Sequence, residues 1–268
     1  MDTLDQTLIY YKTTPWVGLL RTAEVEQCAK VRDLCVSPVL DLGCGDGFVG
    51  KLAFGHPLDV GIDSDYMALK KAFYSGNYQV FVNTDARYLP FKDGTFRTVY
   101  SNCAMEHMDD LDCVLKEVAR VLTPRGKLIA LVPSHKFLKP VGKLGKLLGP
   151  GIWDKYNRLH NHVNLLSPEQ WRSRMMAHGF VVQKISSYGG VEMAEFVSNQ
   201  DMVSKFHLVS HWPFIRLRHD GNLGRVISRF KNTSLERLRH LLSKHHNNDA
   251  EDDGYWLFMM GYRDQEIA

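Results

Sequence analysis

The sequence has no run of about 18 apolar residues, so no stretch of it reads as a membrane-crossing helix. It also lacks the basic segment followed by an apolar run that marks an export signal; its opening, MDTLDQTLIYYKTTPW, has neither. A cytoplasmic protein is the expectation. The five cysteines, Cys28, Cys35, Cys44, Cys103 and Cys113, form an odd set without C-x-x-C spacing, which argues against a disulfide framework and against a zinc site. Neither sign of charge dominates: 33 Lys and Arg against 30 Asp and Glu leave a net charge of +3, too small to name a partner. Repeats and low-complexity tracts are absent as well. What is there is 268 residues, 44% hydrophobic and 24% charged, an ordinary balance for a globular enzyme, long for one domain and short for two. One α/β core with substantial insertions is expected.

The order of elements sets the fold. Thr14 as N-cap and Pro15 at the first helical position start a helix that carries Leu20, Cys28, Val31 and Cys35 on one stripe, with Glu24 on the same stripe. Strand and helix then alternate: PVLDLG, FVGKLAFG, LDVGI, SDYMALKKAFYSG, QVFV, RTVYSN, the amphipathic DDLDCVLKEVARVL stopped at Thr123-Pro124-Arg125-Gly126, and KLIALV. Repeated βα units of this length predict a Rossmann-like, doubly wound, mostly parallel seven-stranded sheet with helical insertions. Pro133 to Leu166 is basic, dotted with glycine and without clear period. SPEQWRSRMMAHG recovers as a helix, with Ser167 and Gln170 spaced as a capping box, and FVVQKIS and YWLFMMGYR read as the last two strands. Between those strands, Tyr188 to Gly254 is far longer than an ordinary connection and is expected to form a helical cap over the substrate.

The stretch PVLDLGCGDGFVG, Pro38 to Gly50, holds two overlapping glycine codes: G-x-G-x-G from Gly43, and the dinucleotide pattern G-x-G-x-x-G from Gly45. The flanking charges decide between them. A pyrophosphate against this turn would meet Asp41 and Asp46, and each carboxylate about 4 Å from a phosphate costs roughly 4 kcal/mol at an effective dielectric of 20. A cationic ligand reverses the sign. S-adenosylmethionine, with its ammonium and sulfonium groups, suits an acidic, glycine-rich turn whose N–H groups can hold the carboxylate.

From about Val39 to Val132, and more weakly from Asn161 to Ser187, the chain resembles the class I S-adenosylmethionine-dependent methyltransferases, in particular the small-molecule, methyltransferase-11-like group. VLDLGCGDG looks like that family's first motif, which implies Asp41, Gly43, Cys44 and Gly45 around the methionine part of the cofactor. Asp63, twenty residues beyond Gly43 and followed by Ser64, closes the second strand where an acid can accept both ribose hydroxyls. Asp85 and Ala86 match the family's adenine-contacting pair, and Asn102 and Cys103 its fourth-strand segment beside the transferable methyl. Arg21, paired with Glu24 at i, i+3 spacing, is a weaker cofactor candidate. The sequence departs from the family at Arg97, where an acid is frequent, and at Arg125-Gly126, where a glycine pair is. The implied organisation is a single methyltransferase domain over 1–268: helical cover 1–37, cofactor-binding core 38–134, basic insertion 135–166, helix and sixth strand 167–187, substrate-cap insertion 188–254 and last strand 255–263.

His107 is the leading catalytic candidate, because EHM follows the fourth strand, where an acceptor would face the sulfonium; ordering of the loop is the plainer role for the same side chain. His160 is a lesser candidate at the mouth. Its i, i+2 spacing from His162 does not place both on one helical face, and no metal site is expected. The interleaved Lys136, Lys139, Lys143 and Lys146, and Arg216, Arg218, Arg225, Arg229, Arg237 and Arg239, favour a lid over a small or glycan-like substrate above nucleic acid or a membrane surface. The expected activity is in-line methyl transfer to an oxygen, nitrogen or carbon nucleophile of a small molecule. An NAD(P)-dependent oxidoreductase using the Gly45 frame, and a cofactor-binding protein without catalysis, are the alternatives.

Overall fold

The computed structural model describes residues 3–12, 14–205, 239–242 and 254–264. Seven strands form one sheet in the order β3-β2-β1-β4-β5-β7-β6. They are β1 (Val39–Leu42), β2 (Leu58–Asp63), β3 (Tyr78–Asn83), β4 (Phe96–Asn102), β5 (Leu122–Pro133), β6 (Phe180–Tyr188) and β7 (Trp256–Arg263). The pairs from β3 to β5 run parallel, and β7 enters antiparallel between β5 and β6. From β1 the chain winds outward through β2 to β3, then returns past β1 to place β4 and β5 on its other side. That reversal opens a crevice at the carboxyl ends of β1 and β4, where ligands bind in open α/β sheets.

The flanking helices are α1 (Thr3–Tyr10), α2 (Pro15–Ala29), α3 (Phe48–Phe54), α4 (Tyr66–Ser75), α5 (Leu111–Val121), α6 (Gly142–Leu148), α7 (Pro150–Leu159), α8 (Pro168–Ala177) and α9 (Val191–Lys205). Their start signals are readable. Asp65 caps α4 by accepting from Met67 and Ala68 N–H, and Ser167 and Gln170 form the reciprocal capping box of α8. Helix α5 buries Leu111, Val114, Leu115, Val118 and Val121, a helical-period stripe that packs with Trp171 and Met175 of α8 on one face of the sheet. The other face is covered by Leu19 and Ala23 of α2, Trp153 of α7 and Met193 and Ala194 of α9.

Several expectations need correcting. Helix α2 ends at Ala29, so Val31 and Cys35 lie beyond it; Leu20 is only half-buried, and the buried face is centred on Leu19, Ala23 and Glu24. Helix α5 does stop at Val121, but β5 begins at Leu122 rather than Lys127, with a register irregularity opposite Phe96 to Thr98. Arg125 takes φ +61° there, a conformation glycine adopts more readily, and its guanidinium lies 4.9 Å from the Tyr262 ring centre. The basic insertion is helical in part, through 135–138, α6 and α7. Phe137 and Val141 are buried, which removes them from any lipid-facing surface. Of the expected cap, Tyr188 finishes β6 and α9 is helical. Residues 206–238 and 243–253, with Arg216, Arg218, Arg225, Arg229 and Arg237, lie outside the described residues. Among the described residues no helix is long and apolar enough to cross a membrane.

Candidate active site

All four residues of β1 are buried, and the strand delivers the chain to the crevice as a glycine turn. Gly43, Gly45 and Gly47 all take left-handed backbone, with φ of +77°, +56° and +76°. Gly50, the third glycine of the competing frame, sits inside α3. A side chain at Gly43 would collide with the Cβ of Ala104, whereas one at Gly45 would meet nothing within 4 Å. Bare backbone at Gly45 therefore faces open space. The turn is tied to β2, since Gly43 and Cys44 N–H both donate to the Ile62 carbonyl, at 3.0 and 2.9 Å.

Asp63 braces the same turn. One carboxylate oxygen accepts from Gly45 N–H at 2.8 Å, and the other accepts from Asp65 N–H at 2.8 Å. Asn83 holds the Asp63 and Ser64 carbonyls, fixing the end of β2 against β3. Asp41 lies elsewhere: it is buried beneath the turn and accepts from the Tyr78 hydroxyl at 2.6 Å. Burial pushes its carboxyl up to about 7, against the Tyr78 hydrogen bond and with the Asp63 charge adding. Cys44 is half-buried beside Gly45, and burial raises its thiol. Asp85 is gripped by the Arg87 guanidinium, which donates to both carboxylate oxygens, and this holds its pKa low; Ala86 packs against the apolar layer below.

The amino-terminal helices close over this edge. Tyr10 stacks on Phe48 with ring centres 3.8 Å apart and donates to Asp46 at 2.7 Å. From α2, fully buried Glu24 accepts from Arg21 at 2.6 Å, Asn102 at 2.7 Å and the Cys103 thiol at 3.1 Å. Arg21, Asn102 and Cys103 are thus brought together by one carboxylate. Cys103 has φ +46°, an uncommon conformation for a non-glycine residue, at the bend leaving β4. The sequence puts Glu24 on the apolar stripe of the helical cover and pairs it with Arg21, but does not announce this hub; its one signal is an acid on an apolar stripe.

Past Cys103 the chain forms a short 3₁₀ turn, Met105–His107, clamped by a second segment. Asn164 donates its amide to the Met105 and Met108 carbonyls at 2.9 and 2.7 Å, and Val163 and Asn164 N–H both donate to the Glu106 carbonyl. His107 Nδ1 lies 3.1 Å from the Asn161 carbonyl, and burial lowers its pKa. Its ring stacks on His162, which stacks in turn on His160. Asn161, at φ +52°, ends the helical path after α7, so i, i+2 spacing no longer separates the two histidines. His160 Nε2 is committed to Asp201 at 2.6 Å, beside Trp16, an anchoring contact from α7 to α9 and α2. Glu106 is the residue that sequence reasoning passed over entirely: it is 2% exposed, and burial raises its carboxyl to about 8.

Residues 40–130 match a family model described as a methyltransferase domain. The chloroplastic tocopherol O-methyltransferase of Arabidopsis thaliana is 31% identical over 114 residues, 38% of this chain and 32% of that protein. The malonyl-[acyl-carrier protein] O-methyltransferase of Hamiltonella defensa is 32% identical over 134 residues, 49% of this chain and 48% of that protein. The chain spans between about a third and a half of the length of these relatives. Among solved structures, Haemonchus contortus phosphoethanolamine N-methyltransferase 2 with S-adenosyl-L-methionine superposes with a TM-score of 0.56 at 16% identity, over 93% of this chain and 57% of that one. The [4+2]-cyclase SpnF superposes with a TM-score of 0.54 at 16% identity, over 91% and 81%. At these identities the structural likeness is one of fold.

Proposed function

We propose, from the premise that this chain belongs to the class I S-adenosylmethionine-dependent methyltransferase family, that it binds S-adenosylmethionine and moves the methyl group to an oxygen, nitrogen or carbon nucleophile of a small-molecule or glycan-like acceptor. The observation that carries this reading is the glycine turn itself. Three left-handed glycines in the Gly43 frame, bare at Gly45 and braced by Asp63, lie at the reversal point of the sheet. The residues present fit the cofactor. Asp46 and Asp63 make the turn acidic, which favours a cationic amino acid over a pyrophosphate. Asp63 retains carboxylate lone pairs beyond the two that hold the backbone, enough to accept ribose hydroxyls.

When bound, the cofactor supplies an electrophilic methyl on a sulfonium. The chain's own part is placement: Asp63 and Ser64 at the ribose, Asp85 and Ala86 at the adenine, and Gly43, Cys44 and Gly45 at the amino-acid end. Asp41 acts from beneath, holding Tyr78 against the turn. The Glu24 hub fixes Asn102, Cys103 and Arg21 at the acceptor edge. Holding the nucleophile in line and dry supplies much of the acceleration in such a transfer. His107, with Nδ1 directed at a backbone carbonyl, keeps a lone pair on Nε2 that can take the acceptor's proton. Gly50, helical and packed closely on Tyr78 and Asp41, is compatible with the Gly45 frame of a nicotinamide enzyme as well; that frame is disfavoured by the acidic turn, where Asp46 and Asp63 would repel a pyrophosphate. Calorimetric titration with S-adenosylhomocysteine and, separately, NADH tests the reading: binding of NADH alone would reverse it.

A further inference from the structure

We propose that Glu106, His107 and His162 form a binding site for a transition-metal dication of the zinc class. The three side chains come from two segments, and each brings one ligand atom to within 4.8 Å of the others. Glu106 Oε1 lies 3.6 Å from His107 Nε2. Two ligands on a tetrahedral ion, each at about 2.0–2.1 Å, stand roughly 3.3 Å apart, so small side-chain rotations close the set on an ion.

Protonation chemistry makes the arrangement pointed. A backbone carbonyl can only accept, so His107 Nδ1, 3.1 Å from the Asn161 oxygen, carries the ring proton, and Nε2 presents a lone pair. That lone pair faces a Glu106 oxygen, and either the proton that burial keeps on this carboxyl or a metal ion can sit between them. Orientation of a ligating histidine through its other nitrogen, here by the Asn161 carbonyl, is the usual support of such sites. The second observation is Glu106 itself. Its side chain is 3% exposed, and Oε2 is buried with no nitrogen or oxygen donor on it, the carboxyl having the Cys103 thiol beside it as a weak hydrogen-bond partner. The backbone clamp from Val163 and Asn164 onto the Glu106 carbonyl holds the two segments together before any ion arrives.

The donor set selects the metal. Two imidazoles and one carboxylate suit zinc, cobalt, manganese or iron dications, whereas magnesium and calcium prefer oxygen throughout. Three protein ligands leave a position for an oxygen donor; that this donor is a hydroxyl of the methyl acceptor rests on the methyl-transfer reading, while ion binding does not. An ion on Nε2 occupies the lone pair that would otherwise take the acceptor's proton, so base and ligand are alternative roles for His107.

The test is a Co²⁺ titration of chelator-treated full-length protein, followed by visible d–d absorption and by zinc competition. One ion per chain is expected, with Glu106→Gln and His162→Ala each weakening it by more than the roughly 10–100-fold that loss of an outer partner costs such sites. His56→Ala, changing an exposed histidine outside the cluster, leaves the titration as it was. Melting temperatures screen the variants for folding, and His107→Ala stands in where Glu106→Gln does not fold. Absence of a bound ion, or equal binding by folded cluster variants, overturns the site. S-adenosylhomocysteine titration of the same samples reports separately on the methyl-transfer reading: protein that binds S-adenosylhomocysteine but takes up no Co²⁺ sinks the metal site alone.

Discussion

Replacing Asp63 separates two jobs that its carboxylate performs at once. Its two oxygens are each bound to a different backbone N–H, Gly45 on one side and Asp65 on the other, both at 2.8 Å. Hydrogen bonds to a charged acceptor contribute about 1.5–3 kcal/mol each, and water can reach this half-buried position, so Asp63→Ala is expected to cost about 1–2 kcal/mol of stability. Loss of the ribose interactions adds about 1.5–3 kcal/mol in binding, which is roughly a 10- to 100-fold weaker S-adenosylhomocysteine affinity. The informative variant is Asp63→Asn. An amide offers one acceptor and one donor, so one of the two N–H groups must face an NH₂, and the isosteric change is expected to rescue neither folding nor binding fully. Calorimetry gives the affinity and thermal melting the stability. Unchanged affinity in a folded Asp63→Ala protein, or wild-type behaviour of Asp63→Asn, refutes the assignment.

Gly45→Ala is expected to lower stability by only about 1–2 kcal/mol, the cost of left-handed backbone in open space, while abolishing cofactor binding; Gly43→Ala, which collides with Ala104, is expected to unfold the turn by urea titration. Glu24→Leu leaves the half-buried Arg21 guanidinium and the Asn102 amide without their buried acceptor and should lose about 1–3 kcal/mol in denaturant melts, part of which Arg21→Met in the same chain restores. Asp41 titrates near 7 in the folded protein, against about 3.9 when unfolded, so its stabilising contribution is complete below about pH 4 and is lost as pH rises through 7. Asp41 should therefore contribute a fall in stability with pH across that window of up to about 1.4 kcal/mol per unit, a share of the slope that Asp41→Asn removes while the buried Glu106 keeps its own.

The fold was legible because its determinants are local. The stripe of α5, the capping box at Ser167 and the glycine turn each state their conformation within a few residues, and strict alternation of strand and helix leaves few topologies. Sequence failed where conformation is set from a distance. Arg125 holds a left-handed turn with its side chain near Tyr262, a residue 137 positions away, and nothing in TPRGK announces that. The face of α2 was misjudged for a related reason: the helix packs against α1, α3 and α9 as well as the sheet, so burial on it does not follow one apolar stripe.

The candidate site divides along the same line. Gly43, Gly45 and Asp63 were readable because one short motif and one strand end put them together, and the hydrogen bond from Gly45 to Asp63 is the physical form of that adjacency. Asp41 was readable as a residue of the turn but not as a buried partner of Tyr78, since the tyrosine arrives from a strand 37 positions on. Glu24 and Glu106 show the limit most sharply. Each is a buried acid whose meaning lies in groups brought from elsewhere: Asn102 and Cys103 for the first, the segment from Asn161 to Asn164 for the second. A buried carboxylate is costly unless something compensates it, so its presence in a core points to a partner. Sequence can report the acid on an apolar face; only the fold supplies the partner. At Glu24 that partner set is complete. At Glu106 the carboxyl, raised to about 8 by burial, has the Cys103 thiol beside it and faces His107 Nε2, and it is there that a bound cation would finish what the chain begins.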